Sequence, residues 1–420
     1  MFSRREILSG TSMAGVLAAL GASRSAHALT GSHRKFVFVF NPGGWDPTRV
    51  FVDGFDLPID MEADAERGAA GGISFVDHAL RPSVRAFFEA HHAKTLVLNG
   101  ILVRSIAHEI CTMIALTGTT SGLAPDWPAI LAAEQRRDFV LPHLVLGGPS
   151  FPGALGVAVS RTGSSGQLEA LVSGAALDMS ELPVGGIDRV SENLVDQYLA
   201  RRAEARANSA KGAIDAQLLA DFRDAGGQLG TLKDLRYGMD FTGGSTLQEQ
   251  AVVAADALAQ GVSRCATLAH PGPFGGTWDT HANNDVLQAP LWEGLFAGLA
   301  QLLIELGARP GSNGGTLADE TVVVVLSEMG RTPLLNGLAG KDHWPYTSAM
   351  IIGPGVTGDR VVGGLDETYY GLGVDPASGE IAPSAPLLSS EVLGATILQL
   401  ADIDPGPFVS GVAPLSGVLS

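Results

Sequence analysis

The 420-residue sequence has little of what several common protein classes require. It contains only two cysteines, Cys111 and Cys265, which is too few for a disulfide-based scaffold. Charged residues make up 17% of the chain and hydrophobic residues 45%, which excludes a disordered polar chain and favours a sizeable core. The formal net charge is −17, so no nucleic-acid partner is expected.

Three catalytic motifs are also missing. The sequence has no Gly-x-Ser-x-Gly turn of an α/β serine hydrolase and no Gly-Lys-Ser/Thr phosphate loop. The pair His108-Glu109 lacks the second histidine of a zinc-protease helix, because Thr112 stands at that position. The two cysteines fall in segments typical of a core helix and a core strand, and the sequence leaves open whether they pair.

The first 28 residues are predicted to be an export signal. An Arg-Arg pair at residues 4–5 precedes a short, weakly apolar run, and residues 26–28 have the small-x-small pattern of a cleavage site. The run is too short to span a bilayer. We expect a twin-arginine signal, passage through the twin-arginine translocase, and a periplasmic or secreted chain of residues 29–420 without a stable membrane span. An ordinary signal peptide or a short core helix is the alternative.

The remaining chain alternates strand-like and helix-like segments. Strands are predicted at 35–40, 95–99, 143–147, 265–269, 321–327, 348–352 and 361–362, and helices at 81–92, 107–117, 287–306 and 390–401. The Ala-, Leu- and Glu-rich stretch at 191–261 is predicted to be a helical insertion or cap. The alternation is typical of one layered α/β domain.

Polar residues that suit a metal ion follow three of the predicted strands. Strands buried on both faces of a parallel sheet present ligand sites beyond their carboxyl ends. Carboxylates and imidazoles at such an edge are ligands for a divalent metal, zinc in the first place, with calcium or manganese as alternatives. The candidates are Asp46, Asp279, His281, Glu328, Asp342 and His343.

Each candidate also has a purely structural explanation. Asp46 could be a simple turn carboxylate, and Asp342 with His343 could be a surface pair. Arg331 could hold an anionic substrate oxygen, or it could form a salt bridge to Glu328 or Asp342. The occurrence of so many acidic and imidazole groups after separate strands nevertheless favours a metal site.

Three motifs resemble one known family. They are Trp-Asp-Thr-His at 278–281, Leu-Ser-Glu-Met-Gly-Arg-Thr-Pro at 326–333 and Gly-Lys-Asp-His-Trp-Pro at 340–345. They resemble the exported family known as domain of unknown function 1501, itself similar to the alkaline phosphatase and sulfatase superfamily. The resemblance runs over nearly all of residues 29–420. It implies a three-layer α/β/α sandwich of the alkaline phosphatase type, with a mostly parallel central sheet.

The resemblance also implies roles for individual residues. The superfamily's metal ligands correspond to Asp46, Asp279, His281, Glu328 and His343 in this sequence. Where the superfamily has an aspartate and a histidine after its central strand, this chain has Glu328 and Met329, and methionine is a poor ligand for a hard ion. The superfamily's nucleophile position falls on His108, with Ser105 in reserve. His108 could be a nucleophile, a general acid or base, or a further ligand, and Arg331 would steady an anion.

The function that the resemblance implies is that of an exported metal-dependent hydrolase acting on a small anionic substrate, a phosphate or sulfate ester. One or two divalent ions would polarise the ester oxygen. The alternative is a catalytically silent, metal-stabilised exported scaffold or assembly factor. Loss of the usual nucleophile favours the scaffold, and survival of the potential ligands favours the enzyme.

Overall fold

A computed structural model describes residues 31–52, 54–161, 189–207, 212–235, 245–272 and 277–420. The predicted export signal lies outside these ranges, and so do parts of the predicted helical insertion. The described part of that insertion is helical, in agreement with its composition.

The described residues contain twelve strands, eight of which form one sheet. The strands are β1 (Lys35–Phe40), β2 (Glu66–Ala70), β3 (Ile73–Asp77), β4 (Thr95–Leu102), β5 (His143–Val145), β6 (Val159–Arg161), β7 (Cys265–Ala269), β8 (Thr321–Leu326), β9 (Gly330–Arg331), β10 (His343–Trp344), β11 (Tyr346–Ile352) and β12 (Arg360–Gly363). The sheet order is β12-β4-β11-β8-β1-β7-β5-β6. Its neighbours are parallel except that β11 runs antiparallel to β4 and β8.

Eight α-helices lie within the described residues. They are α1 (Pro82–His91), α2 (His108–Thr117), α3 (Trp127–Glu134), α4 (Arg189–Ala207), α5 (Ala213–Leu235), α6 (Leu247–Ala259), α7 (Asn284–Ala308) and α8 (Ser390–Leu400). Most have start or stop signals that the sequence supplies. Helix α2, for example, ends at Gly118, whose φ of +72° suits a glycine cap.

Alternate side chains of the central strand β1 face two separate helical layers. Val37 and Val39 pack in one apolar core with residues of α1, α6 and α7. Phe36 and Phe38 pack in a second core with residues of α2, α3 and α8. All six residues of β1 are buried, as expected for a strand covered on both faces. The predicted three-layer α/β/α sandwich with a mostly parallel sheet is confirmed.

Helix α7 is the one described helix that is long and apolar enough to cross a membrane by length and composition. It also contains Pro290, and it buries Trp292, Leu295 and Phe296 in the first core. Core helices of globular proteins pass the same test, so this helix is weak evidence for a membrane span.

The two cysteines occupy the predicted kinds of element. Cys111 lies on α2 and Cys265 on β7, and both are buried free thiols. Burial raises the pKa of Cys111 to about 11 and that of Cys265 to about 12, so both remain protonated at neutral pH. They do not form a disulfide.

Strand direction determines where the predicted site residues meet. Strands β1, β7 and β8 are mutually parallel, and β4 points the same way because it and β8 are both antiparallel to β11. The loops after these four strands therefore emerge at one edge of the sheet.

Candidate metal centre

Close packing of the loops after β1, β7 and β8 depends on Gly43. Its φ is +115°, and a β-carbon at this position would lie 2.8 Å from the backbone nitrogen of Asp279. Its N–H donates to Glu328 Oε1 at 2.7 Å. A side chain at this position would separate the three loops, so the Gly-Gly turn is a requirement of the site.

Three histidines and one aspartate meet at this edge, and we call His108, Asp279, His281 and His343 the histidine cluster. The Nε2 atoms of His281 and His343 are 2.9 Å apart. Asp279 Oδ1 lies 3.1 Å from the first of these atoms and 3.2 Å from the second. Ligand-type atoms of His108, Asp279 and His343 all lie within 4.8 Å of one another. The pairing of β10 with β9 holds His343 opposite Arg331.

The hydrogen bonds of the outer ring nitrogens, the Nδ1 atoms, determine which nitrogen of each histidine carries the proton. His343 Nδ1 lies 2.6 Å from the backbone oxygen of Ile106, which can only accept, so Nδ1 donates. His281 Nδ1 lies 2.9 Å from the carboxylate of Asp342 and donates likewise. In the neutral rings, both Nε2 atoms then present lone pairs to each other. Such an arrangement requires a shared cation, either a proton or a metal ion.

His108 enters the cluster from the first turn of α2. Its Nδ1 lies 2.9 Å from Glu328 Oε1, and this hydrogen bond raises the pKa of His108. Its Nε2 is buried, has no hydrogen-bond partner among the described residues, and lies 3.4 Å from Asp279 Oδ2. A buried ring nitrogen without a partner is costly unless a ligand satisfies it.

Asp279 is held in place by Arg331, whose side chain is fully buried. The guanidinium donates to Asp279 Oδ1 at 2.6 Å and to the backbone oxygens of Gly43, Gly44 and Lys341. Burial by itself raises the pKa of Asp279, but Arg331, His343 and His108 together outweigh it and lower the pKa to about 2. Arg331 therefore orients a carboxylate instead of facing a substrate, and its ion-pair partner is neither Glu328 nor Asp342.

Asp46 lies in a separate, buried group. We call Asp46, Arg49, Glu62, Arg81 and Lys341 the ion-pair cluster. Asp46 Oδ2 lies 2.8 Å from Lys341 Nζ and 3.2 Å from Arg49 Nε, with all three side chains fully buried. Burial raises the pKa of Asp46, but Lys341 and Arg49 lower it below its ordinary value. Asp46 also caps the short helix Pro47–Arg49, as expected for a turn carboxylate.

The remaining residues predicted from the sequence are not members of the histidine cluster. Glu328 binds His108 and Asp342 binds His281, so both carboxylates support imidazoles. Ser105 Oγ accepts from the N–H of Ala107 at 3.2 Å and does not line the cavity described below. Met329 is fully buried and packs with Cys111 in a small apolar cluster.

Sequence reasoning missed two supporting groups. The backbone oxygen of Ile106 fixes His343, and no side-chain pattern signals it. Lys341, which pairs with Asp46, stands between Gly340 and Asp342 in the motif that drew attention to this region. Its position inside that motif was the available signal.

The histidine cluster borders an open cavity of about 750 Å³. His108, Asp279 and Glu328 line it, and Met113 and Phe151 contribute apolar wall. The volume suits a small-molecule substrate.

Comparisons with solved structures found distant similarity. A putative sulfatase from Bacteroides thetaiotaomicron VPI-5482 is 9% identical, with 92% of this chain and 74% of that chain covered and a TM-score of 0.41. A protein in the alkaline phosphatase superfamily from Vibrio parahaemolyticus is 9% identical, with 90% and 68% covered and a TM-score of 0.37. A phosphonate monoester hydrolase from Silicibacter pomeroyi is 13% identical, with 91% and 77% covered and a TM-score of 0.36.

No curated protein matched the chain in sequence. A family model described as "Protein of unknown function (DUF1501)" matches residues 86–409, which include α2, β7, β8 and the hairpin of β9 and β10. His108 and His343 lie on two of these elements, and Asp279 and His281 lie on the loop that follows β7. The match extends over well more than half of the sequence, and the chain belongs to this DUF1501 family.

Proposed function

We propose that the histidine cluster binds a divalent metal ion and that the protein is a metal-dependent hydrolase of a phosphate or sulfate ester. The observation that carries the proposal is the convergence of the Nε2 lone pairs of His281 and His343 on Asp279. The outer nitrogens of all three histidines are bound to oxygen acceptors, which is the usual support for metal-binding imidazoles.

The residues favour one ion, and zinc or manganese over calcium. Three imidazoles and one carboxylate suit zinc, whereas calcium prefers a set of oxygen ligands. Asp46 is unsuited to a second ion, because its carboxylate is already paired with Lys341 and Arg49 and is closed to solvent.

The chain's own residues would orient and protonate the reacting groups. A bound divalent ion would supply a Lewis acid that polarises the ester oxygen. Arg331 keeps Asp279 ionised and fixed, and Glu328 fixes the His108 ring with Nε2 toward the cluster. His108 can serve there as a fourth ligand or as a proton carrier between ester and solvent.

Metal content tests the site without reference to activity. Protein purified without chelator should contain about one equivalent of zinc or manganese, and His281→Ala and His343→Ala should each lose most of it. His92→Ala is the matched control, since His92 pairs with Asp359 on the surface. Less than about a tenth of an equivalent of any metal in the unaltered protein would sink the metal site.

Hydrolysis tests the function. Chromogenic phosphate and sulfate esters should be cleaved by the metal-loaded protein, with loss of turnover on chelation and recovery on metal return. His108→Ala separates the two roles of His108. A proton carrier loses turnover with metal retained, whereas a ligand loses both together.

The competing function is the catalytically silent, metal-stabilised scaffold. It is favoured by the burial of Arg331, which leaves that guanidinium unable to reach a substrate, and by a histidine at the position where the superfamily resemblance places the nucleophile. A metal-loaded protein that is stable, loses stability on chelation and cleaves none of the esters would favour the scaffold.

We also propose that residues 1–28 direct export by the twin-arginine route and that residues 29–420 form the periplasmic or secreted domain, with a helical insertion at about 191–261. The support is the Arg-Arg pair and the cleavage pattern. Replacement of Arg4 and Arg5 by lysine should leave the protein in the cytoplasmic fraction. Unchanged export of that variant would refute the twin-arginine route.

A further inference from the structure

The cavity beside the histidine cluster is lined by carboxylates instead of cations. Asp279 and Glu328 face it from the sheet edge, and Glu109 faces it from the first turn of α2. Among the described residues that line it there is no lysine or arginine. Apart from an ion held by the cluster, an anionic substrate meets negative charge on this wall.

The buried cations Arg331 and Lys341 do not offset this negative charge for a bound substrate. The Arg331 guanidinium donates to Asp279 and to backbone oxygens. The Lys341 ammonium is fully buried and lies within 2.9 Å of both Asp46 Oδ2 and Thr48 Oγ1. Both cations therefore neutralise the protein's own carboxylates.

The charge balance of the cavity limits the charge of the substrate. Arg331 balances Asp279, and Glu328 together with Glu109 then match the two positive charges of one divalent ion. Each further negative charge on a bound substrate thus enters a site with no net positive charge. At separations of a few ångströms inside a protein, one such charge is enough to change affinity about tenfold or more.

The rest of the wall favours an apolar group. Met113 and Phe151 are half-buried and line the cavity with Pro42 and Pro271. Burial of hydrocarbon or aromatic surface against these side chains is favourable.

Resting on the proposed function, we infer that the substrate is a monoanionic ester with an apolar substituent. Its tetrahedral centre carries one negative charge, as in a sulfate monoester or a phosphate diester, and not the two charges of a phosphate monoester. The two monoanionic classes share the chemistry that the cavity selects.

Three substrates with one leaving group test the inference on the full-length metal-loaded protein. They are 4-nitrophenyl sulfate, bis(4-nitrophenyl) phosphate and 4-nitrophenyl phosphate, compared at about pH 8, where a phosphate monoester has lost both protons. We expect kcat/KM for at least one monoanion to exceed that for the dianion by about tenfold or more. The faster monoanion identifies the class.

The possible failures are distinguishable. Cleavage of the dianion at least as fast as both monoanions overturns the charge inference while the hydrolase function stands. Cleavage of none of the three contradicts the hydrolase function. In that case calorimetry with phenylphosphonate, a dianion, and its monomethyl ester, a monoanion, still decides the charge preference. Tighter binding of the monoanion supports the inference, and tighter binding of the dianion, or no binding of either, overturns it.

A substitution at Glu109 tests whether charge on the cavity wall causes the preference for a monoanion. Glu109→Gln should reduce the monoanion preference by about two- to fivefold, since it removes one negative charge that faces the cavity. Glu89→Gln is the matched control, because Glu89 is exposed on α1 and does not line the cavity. An unchanged preference in Glu109→Gln would overturn the electrostatic explanation.

Discussion

The histidine cluster and the ion-pair cluster lie on neighbouring loops and are joined by the short stretch from Lys341 to His343. In the ion-pair cluster both Asp46 oxygens contact a hydrogen-bond donor or a cation. In the histidine cluster two imidazole lone pairs face each other, and the buried Nε2 of His108 has no hydrogen-bond partner among the described residues. Both clusters contain charged or polar groups removed from water, but every charged side chain of the ion-pair cluster has an ion-pair partner, whereas the buried Nε2 of His108 has no partner for its lone pair among the described residues.

That difference separates a structural role from a binding role. Buried charges are tolerated when ion pairs and hydrogen bonds compensate for lost hydration. Groups that lack partners and border a cavity are the ones that a ligand can satisfy. On this reasoning Lys341 supplies the cation for Asp46, and an external cation is needed only by the histidines.

The largest effect on stability is expected from Lys341→Met. The substitution leaves the fully buried carboxylate of Asp46 without its 2.8 Å partner, and loss of one member of a buried pair costs about 3–5 kcal/mol. Denaturant unfolding should show this loss. The double variant with Asp46→Asn should lose less than the sum of the two single variants, because the unpaired charge is then gone.

Lys94→Met is the control for Lys341→Met, because Lys94 is exposed. Its free energy of unfolding should stay within about 0.5 kcal/mol of the unaltered protein. Equal effects of the two lysine variants would contradict the view that the ion-pair cluster is a structural unit whose charges are already paired.

An intermediate effect with a pH signature is expected from Glu62→Gln. Burial raises the pKa of Glu62, but Arg81 and Arg49 outweigh it and lower the pKa below its ordinary value. A carboxyl group with a lowered folded-state pKa adds stability above its unfolded-state pKa, and this contribution is lost as pH falls through the folded-state pKa. The variant should lose about 1–3 kcal/mol at neutral pH.

The difference between the two proteins should therefore shrink as the pH falls below about 4. Thermal unfolding from neutral to acidic pH measures it. Glu380→Gln is the control, because Glu380 pairs with Arg360 on the surface and should show a small difference at every pH. A Glu62→Gln difference that is independent of pH would show that packing, and not charge, is what the substitution removes.

The sequence was sufficient for most of the fold. Val37 and Val39 alternate with phenylalanines on a strand buried on both faces, and Gly118 caps α2. The spacing of apolar residues and the glycine at a helix end were therefore enough to locate such elements. The β2–β3 hairpin went unpredicted, because Glu66–Ala70 carries charged, glycine and alanine residues with a mostly exposed burial pattern.

The site was harder to predict, since its assembly depends on contacts across the sheet edge. The predicted strands and motifs drew attention to Asp279, His281 and His343, which lie together in the structure. Nothing local distinguishes Asp46, which is paired with a lysine almost 300 residues away, from Asp279, which faces the cavity. Only the three-dimensional arrangement shows which carboxylate already has its cation.

The smallest effect on stability is expected from Asp342→Asn. This variant also tests most directly whether the histidine cluster, unlike the ion-pair cluster, has a binding role. The Asp342–His281 pair is about half exposed, so its loss should change the free energy of unfolding by less than about 1 kcal/mol. The same carboxylate fixes the His281 ring with Nε2 toward Asp279 and His343. Loss of such a supporting bond typically lowers metal affinity about 10–100-fold, which a competition titration with a chromogenic chelator measures.

Asp359→Asn supplies a matched control for Asp342→Asn, because Asp359 also accepts a bond from a surface histidine, His92, at 2.7 Å. Its loss should leave metal affinity unchanged, since His92 is not a member of the histidine cluster. If both aspartate variants bind metal as tightly as the unaltered protein, His281 is not a ligand that Asp342 orients. The 2.9 Å approach of His281 to His343 would then reflect a shared proton, and the metal set would be limited to His108, Asp279 and His343.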